Sequence, residues 1–193
     1  MTVLFVDHHD SFVNNLISWF KKNYSGDVVV AKCDELNKIK LRSISAVVFS
    51  PGPGHPSEYK SSLDFYKNLP PTIPFLGVCL GYQIMLYAHG AQLMQIAATP
   101  VHGQQVKIGK KVSSHLLPPD VLQGYFVLYN SLGIELNDSV FQKDFVLLAS
   151  KGKFSLAAEH VLFPRVGVQF HPESFASIGG DYFMRSFLRL IQC

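Results

Sequence analysis

The sequence has few cysteines, and their number and spacing exclude two classes of protein. Only three of its 193 residues are cysteine, namely Cys33, Cys79 and Cys193. An odd number without paired spacing is not the framework of a disulfide-rich secreted domain, and it predicts no metal site. We therefore expect free thiols in a reducing, cytoplasmic compartment. Nothing in the sequence predicts a bound cofactor.

Charge is also sparse, and no apolar run is long. Lysine and arginine number 17 and aspartate and glutamate 14, which gives a net charge of +3 with no basic cluster. A nucleic-acid-binding or membrane-binding surface is not expected from so small and dispersed a charge. No segment approaches the roughly 20 apolar residues of a membrane-spanning helix. Residues 1–7 lack a basic lead and a cleavage site, so they predict a first strand and not a signal peptide.

What the chain does have is hydrophobic residues, 48% of the total, arranged in short runs. This length and composition fit a single domain that covers residues 1–193. Continuous apolar runs at residues 3–6, 28–31, 46–49, 73–78 and 166–170 are typical of buried parallel strands. Helical spacing predicts helices at residues 12–20, 59–68, 82–89 and 181–191, the first capped by Asp10 or Ser11 and the third ended by Gly90.

The pattern changes after Gly90. Residues 101–112, 125–129, 145–150 and 155–160 have the composition of short strands, with turn residues and no long helix between them. The sequence therefore predicts an α/β fold. A mostly parallel central sheet is flanked by helices, and a smaller antiparallel sheet lies in the second half.

Cys79 stands between two glycines where an apolar run turns into a helical pattern. A tight strand-to-helix turn crowds the positions two residues either side of its apex, and Gly77 and Gly81 remove the Cβ atoms that would collide there. Such a turn exposes the apex side chain as a nucleophile at the top of a sheet. The alternative is a buried structural cysteine in an ordinary glycine-rich turn.

A base and its orienting group are available after the last predicted strand. His171 and Glu173 are two positions apart, so in an extended chain they point to the same side, with Pro172 stiffening the link. In a parallel sheet this strand end meets Cys79 at the carboxyl edge. A thiol, an imidazole and a carboxylate there are the parts of an activated cysteine nucleophile. A surface histidine beside a glutamate by chance is the alternative.

The loop at residues 50–56 is rich in proline and glycine. It is either a rigid turn or a place where backbone N–H groups approach a ligand. In the second case it forms an oxyanion hole together with the Leu80 N–H, which follows the proposed nucleophile.

Three segments together resemble one family. Residues 75–83 (FLGVCLGYQ), 50–54 (SPGPG) and 167–174 (GVQFHPES) closely resemble the class I (triad) glutamine amidotransferases, which have a flavodoxin-like fold. The resemblance narrows to the glutaminase subunits of anthranilate synthase and aminodeoxychorismate synthase. The pairs and triplets that narrow it are Asp10-Ser11-Phe12, Asn15-Leu16, His102-Gly103 and Ser131-Leu132.

The resemblance implies a role for each matched residue. Cys79, His171 and Glu173 would form the catalytic triad, with the backbone of Gly52 and Leu80 as oxyanion donors. The implied glutamine-binding residues are Gly52, Pro53, Gly54, Gln83, Ser131 and Leu132. The expected partners are L-glutamine and a chorismate-utilising synthase subunit that takes up the ammonia.

The chain departs from the family pattern beside the implied glutamine site. Leu128 and Asn130 stand where the family usually has arginine and histidine, and Tyr82 stands where it often has histidine. The segment His8-His9 replaces the commoner Asn-Tyr. These departures concern glutamine affinity and the choice between the two synthases more than the triad.

Other functions remain open from the sequence. The chain is a binding module if the elbow survives only as architecture, although the intact triad argues against this. It is a glutaminase for guanylate, carbamoyl phosphate or imidazole glycerol phosphate synthesis if the client differs. A cysteine peptidase on a related fold would cleave peptides and not free glutamine.

Overall fold

The computed structural model describes residues 1–96, 103–108 and 112–192. Its helices, in chain order, are α1 (Val13–Asn23), α2 (Lys60–Lys67), α3 (Leu80–Tyr87), α4 (Val140–Lys143) and α5 (Gly180–Gln192). Its strands are β1 (Thr2–Asp7), β2 (Asp27–Lys32), β3 (Ile44–Phe49), β4 (Phe75–Val78), β5 (Leu93–Gln95), β6 (Gln104–Ile108), β7 (Gly124–Leu128), β8 (Leu132–Ile134), β9 (Phe145–Lys151), β10 (Phe154–His160) and β11 (Arg165–Val168). Short 3₁₀ helices occupy Leu36–Lys38, Leu41–Ser43 and Pro56–Glu58.

A seven-stranded sheet forms the centre of the molecule, with the strand order β2-β1-β3-β4-β11-β10-β9. The first five strands in this order are parallel, and β10 and β9 continue the sheet as an antiparallel hairpin. The predicted fold class is confirmed. The carboxyl ends of the five parallel strands share one edge, which is where ligands bind in open α/β sheets.

Both faces of the central sheet are buried, as the continuous apolar strands predict. In β1, Val3 and Phe5 pack into one hydrophobic cluster with residues of α1 and α5. Their neighbours Leu4 and Val6 pack on the other face with residues of α2 and α3. All four β1 side chains are fully buried. Side chains that alternate between two covered faces explain why the strand is apolar at every position.

The second half contains two further antiparallel pairs, β5 with β8 and β6 with β7. The predicted strand at residues 101–112 is described at its centre, where β6 forms, while residues 97–102 and 109–111 lie outside the described residues. The second-half strands thus divide between two small ribbons and the hairpin that extends the central sheet.

Two predicted element boundaries are wrong. Phe12, and neither Asp10 nor Ser11, occupies the N-cap position of α1. The Asp10 carboxylate instead accepts a hydrogen bond from the Phe12 N–H (2.7 Å), which closes a turn before the helix. Helix α3 begins at Leu80 and not at residue 82, because the turn at Cys79 leads straight into the helix. Within the described ranges, no helix combines the length and apolarity needed to cross a membrane.

Candidate active site

Cys79 lies at the junction between β4 and α3, at the carboxyl edge of the sheet. Its backbone has φ 52° and ψ −103°, a conformation that residues other than glycine rarely adopt. The Cys79 N–H donates to the Val168 carbonyl of neighbouring β11 (2.8 Å), which ties the turn to the sheet. A strained residue held by its surroundings at a strand end is typical of a nucleophile elbow.

The two glycines of the elbow are required by close backbone contacts. A Cβ atom on Gly77 would lie 2.6 Å from the Gly81 carbonyl group, and one on Gly81 would lie 2.4 Å from the Phe49 carbonyl oxygen. The Gly81 N–H also donates to the Ser50 carbonyl (3.2 Å). Helix α3 therefore starts in contact with both β4 and the end of β3. The predicted crowding around Cys79 is present.

His171 and Glu173 form a buried pair, as their spacing predicts. The His171 Nδ1 and the Glu173 Oε1 are 2.7 Å apart, and the two side chains are 2% and 0% exposed. Because an ionised carboxylate only accepts hydrogen bonds, Nδ1 is the donor and Nε2 is left to exchange a proton. The buried Nε2 makes no hydrogen bond among the described residues.

The position of His171 is fixed from several sides. Its N–H donates to the Val127 carbonyl of β7 (3.0 Å), and its carbonyl accepts from the Ser177 hydroxyl (2.6 Å). The rings of Phe12 and Tyr129 contact the imidazole edge-on, with centroid distances of 5.4 and 5.0 Å. Backbone and ring are thus both held, and β11 ends at Val168, earlier than the predicted residue 170.

Electrostatics favour the protonated form of His171. Burial lowers the pKa of the imidazole, but the Cys79 thiolate and the hydrogen-bonded Glu173 carboxylate outweigh burial and raise this pKa well above its usual value. The thiolate and the imidazolium stabilise each other only when the two groups are close. The structure therefore brings the predicted triad together in one buried cluster.

Gly52 and Leu80, the predicted oxyanion donors, are in direct contact. A Cβ atom on Gly52 would lie 2.5 Å from the Leu80 Cδ2 and 2.7 Å from the His8 Cβ. Neither the Gly52 N–H nor the Leu80 N–H has an acceptor among the described residues. Two unpaired donors beside a thiol are the components of an oxyanion hole.

His8 supports the loop that carries Gly52. Its side chain is fully buried between the hydroxyls of Ser50 (3.2 Å from Nδ1) and Ser62 (3.1 Å from Nε2). The Ser50 hydroxyl proton is already donated to the Pro51 carbonyl (2.7 Å), so Nδ1 is the donor and Nε2 accepts from Ser62. Burial and the neighbouring His9 lower the pKa of His8 to about 3. A neutral His8 thus links β1, the loop and α2.

A cleft of about 600 Å³ opens over Cys79. All six predicted glutamine-binding residues line it, and so do Asp10, Phe12, His55, Glu58, Tyr129 and Asn130. Motif resemblance indicates the first six from the sequence. Asp10 and Phe12 belong to the matched opening segment, but nothing in their residue types indicates that they face the same cleft.

The polar groups of the cleft are partly used by the protein itself. The Leu132 carbonyl accepts from both the Gln83 Nε2 (3.1 Å) and the Asn130 Nδ2 (2.9 Å). Both lone pairs of this carbonyl are therefore occupied. The Gln83 Nε2 also donates to the Gln169 Oε1 (2.9 Å), so both of its protons are committed. Only the Gln83 Oε1 remains for a ligand.

Two polar side chains of the site have contacts that the sequence does not predict. The Gln169 Nε2 lies 3.5 Å from the Cys79 Sγ and so donates a weak hydrogen bond to the thiol. The buried Asn130 Oδ1 has no donor among the described residues. Gln169 lies within a matched motif and Asn130 is a departure from the family pattern, but neither fact shows which side chains point to the cysteine.

The described residues contain one grouping of three ligand side chains suited to a metal ion, namely His9, Cys33 and Asp34. None of the three lines the Cys79 cleft. The chemistry available in the cleft is therefore that of a thiol, an imidazole, a carboxylate and backbone N–H groups. This set is suited to acyl transfer through a covalent thioester.

Residues 4–191 match the glutamine amidotransferase class-I family. The chain belongs to this family. It is 34% identical to aminodeoxychorismate synthase component 2 of Escherichia coli K12, with 96% of this chain and 98% of that protein covered. It is 30% identical to anthranilate synthase component 2 of Cyanidium caldarium, with 97% and 98% covered.

Two further comparisons place this amidotransferase among longer and more distant proteins. It is 31% identical over 97% of its length to the bifunctional protein TrpGD of Thermotoga maritima, but spans only 32% of that protein. A solved structure named as a GMP synthase component of Thermoplasma acidophilum superimposes with a TM-score of 0.82 at 21% identity, covering 100% of this chain and 94% of the other. The last likeness shows the fold alone.

The close packing of the elbow predicts a strong effect of one methyl group. Gly81→Ala places a Cβ 2.4 Å from the Phe49 carbonyl, whereas Gly90→Ala has positive φ but no atom within 4 Å. We expect the free energy of unfolding to fall by about 3 kcal/mol for Gly81→Ala and by about 1 kcal/mol for the control Gly90→Ala. Urea denaturation measures both, and equal losses would contradict the contact described for the amidotransferase elbow.

Proposed function

We propose that this amidotransferase is a glutaminase subunit, formed by residues 1–193 as a single type 1 domain, that supplies ammonia to a chorismate-utilising synthase. The observation that carries the proposal is the buried His171–Glu173 pair beside Cys79 at a strained elbow. The motifs of the sequence favour the same three residues as a triad. The product made by the synthase is anthranilate or 4-amino-4-deoxychorismate.

The first step forms a thioester. The Cys79 thiolate attacks the side-chain carboxamide carbon of glutamine, and the carbonyl π electrons move onto oxygen. The Gly52 and Leu80 N–H groups stabilise this oxyanion. When the oxyanion collapses, the C–N bond breaks, His171 Nε2 supplies the proton to the leaving nitrogen, and ammonia departs.

The second step regenerates the thiolate. His171, now neutral, takes a proton from water, and the resulting hydroxide attacks the γ-glutamyl thioester carbon. The C–S bond breaks and glutamate leaves. Throughout both steps Glu173 holds the Nδ1 proton, so the same nitrogen of the imidazole always faces the reaction. Gln169 donates to the sulfur and steadies the Cys79 side chain.

Glutamine recognition follows from the groups that the protein leaves free. The Gln83 Oε1 and the Asn130 Oδ1 are acceptors for the substrate's amide and ammonium protons. The side chains of Asp10 and Glu58 in the cleft add negative charge that favours the ammonium group. No lysine or arginine is among the described residues that line the cleft, so backbone N–H groups of the loop at residues 53–54 and of Ser131 are left to bind the carboxylate.

A partner-binding surface beside the triad supports the role as a subunit. Phe175 is fully exposed, at 102% relative accessibility, and Ile178 and Tyr125 are 64% and 43% exposed. Tyr125 and Ile178 are joined by a β-bridge, and Phe175 is two residues from Glu173. Three exposed apolar side chains on one loop and its neighbouring strand are typical of an interaction site. The similar proteins named as component 2 of two synthases favour a synthase as its partner.

Replacement of the nucleophile tests the chemistry. Cys79→Ser is expected to keep the fold but to lose glutamine hydrolysis by at least about a thousandfold, because serine at this site is a far weaker nucleophile at neutral pH. Ammonia-dependent synthesis in the complex with the synthase should be retained. Both activities are measured in the reconstituted complex. Hydrolysis near the wild-type rate would remove Cys79 from the proposed role.

Labelling gives a control that does not need a variant. A glutamine analogue with an electrophilic side chain should modify Cys79 and spare Cys33 and Cys193, as read by peptide mass spectrometry. Cys33 is the matched thiol, since it is buried to the same degree as Cys79, 9% against 8% exposed. Modification of Cys33 at an equal rate would contradict the assignment.

The triad predicts an order of effects. His171→Ala should abolish thioester formation, whereas Glu173→Ala should be milder, because Glu173 orients the imidazole while the base itself remains. Single-turnover measurement of thioester formation separates the two. Equal losses in the two variants would mean that Glu173 does more than orient His171.

The docking surface predicts the effect of a charge at Phe175. Phe175→Asp should weaken binding to the synthase by about tenfold or more, since a buried aromatic anchor contributes at least about 1.4 kcal/mol. Leu162→Asp is the matched control, because Leu162 is also exposed (78%) but precedes β11 at the opposite edge of the sheet. Calorimetric titration measures both variants.

Activation of the glutaminase accompanies docking. Glutamine hydrolysis by the isolated chain should be slow and should rise when the synthase is added, because the partner orders the loop at residues 52–54. Equal weakening of binding by Phe175→Asp and Leu162→Asp would refute this docking surface. A chain that hydrolyses glutamine equally fast alone and with every chorismate-utilising synthase, and binds none of them, would refute the subunit role.

A further inference from the structure

A second cluster of reactive side chains lies at the carboxyl ends of β1 and β2. These strands are parallel and pair Asp7 with Lys32 at their last positions. His9 therefore follows β1 beside Cys33 and Asp34, which follow β2. One ligand atom from each of the three side chains lies within 4.8 Å of the other two. The glutaminase chemistry uses none of these residues.

We propose that His9, Cys33 and Asp34 form a binding site for a single divalent zinc-type cation. An imidazole nitrogen, a thiolate sulfur and a carboxylate oxygen are all ligands that Zn²⁺ takes, commonly three at a time with water in the fourth position. Calcium and magnesium prefer oxygen ligands alone, so the thiol and the imidazole select a softer ion.

Asp7 holds the two halves of the site together. Its backbone carbonyl accepts a hydrogen bond from the Cys33 N–H (3.0 Å), and its carboxylate accepts one from the His9 N–H (2.8 Å). His9 has φ 62°, so the chain reverses directly after β1. The backbones that carry the imidazole and the thiol are thus both fixed to the end of β1.

The side chains need only a small movement to bind the ion. Ligand atoms around a tetrahedral zinc ion lie roughly 3.5 Å apart, so the longest separation in the cluster must shorten by about 1 Å. His9 and Asp34 are exposed and are free to rotate, while Cys33 is buried and provides the fixed ligand. The site is therefore preformed at its sulfur and closes from the solvent side.

Charge in the cluster also favours a cation. Burial and the nearby carboxylates of Asp34 and Asp7 raise the pKa of the Cys33 thiol, so the thiol is protonated without a metal. A divalent ion replaces that proton and offsets the repulsion between the thiolate and the two carboxylates. Metal uptake is therefore expected to release a proton and to strengthen as the pH rises.

Metal at this position would fasten the turn that leads to the cleft. His9 precedes Asp10, which lines the cleft over Cys79, whereas Cys33 belongs to the neighbouring strand end. A cation shared by the two segments ties the β1–α1 turn to β2. The expected physical consequence is a higher melting temperature in the presence of Zn²⁺.

The test uses a chain in which Cys33 is the single remaining thiol. Cys79→Ser and Cys193→Ser are combined, because Cys79 and His171 are themselves able to bind zinc. This double variant is titrated with Co²⁺ and with Zn²⁺ in competition with a chromophoric chelator. We expect one equivalent of metal, a sulfur-to-cobalt charge-transfer band, release of a proton, and a rise in melting temperature.

Three substitutions in that background identify the ligands. Cys33→Ser should remove the charge-transfer band and the thermal shift, and His9→Asn and Asp34→Asn should each weaken Zn²⁺ binding by about tenfold or more. His55→Asn, which alters an exposed histidine outside the cluster, is the control and should change none of these. Unfolding of each variant without metal is measured first, so that a loss of binding is not confused with a loss of fold.

Two results would overturn the proposal. The first is a Cys33-only chain that binds Zn²⁺ no more tightly than the chain with all three cysteines replaced. The second is full Zn²⁺ affinity in both His9→Asn and Asp34→Asn. None of these readouts depends on glutamine hydrolysis, so the metal site is tested separately from the proposed function.

Discussion

The contact of the first turn of α3 with the ends of β3 and β4 is the constraint on which the site depends. It leaves no room for a Cβ atom at Gly77 or Gly81. It also forces Cys79 into a left-handed backbone conformation with its N–H bound to β11. The thiol is therefore presented at the sheet edge by packing that involves three strands. Its position is a property of the sheet as a whole, because no local hydrogen bond of the side chain fixes it.

The rest of the site is brought to Cys79 by the parallel sheet and by one ribbon outside it. β1 contributes His8 and β3 the glycine loop, and the buried His8 joins the two through Ser50. The His171 segment leaves β11 and is anchored on β7, which belongs to a separate antiparallel pair. The second half of the chain thus acts as a support that turns the imidazole toward the sheet edge.

The polar groups of the cleft belong to a network that limits what they offer a substrate. Gln83 is the centre, since its amide protons go to Leu132 and Gln169 and its oxygen alone stays free. The resemblance assigns the Leu132 backbone to glutamine, and the structure shows that its carbonyl is already doubly occupied. Internal satisfaction of buried polar groups rigidifies the pocket, which suits a site that must hold a small amide in one orientation.

The sequence by itself determined the fold class, the strand and helix content, and the identity of Cys79, His171 and Glu173. It did so because buried parallel strands, glycine-flanked turns and i, i+2 pairs leave local patterns. It did not determine the cap of α1, the free acceptor of Gln83 or the contact of Gln169 with the thiol. It also gave no sign of the cluster at His9, Cys33 and Asp34. Those features depend on side chains that meet across strands, and only the tertiary structure decides such contacts, since spacing along the chain carries no record of them.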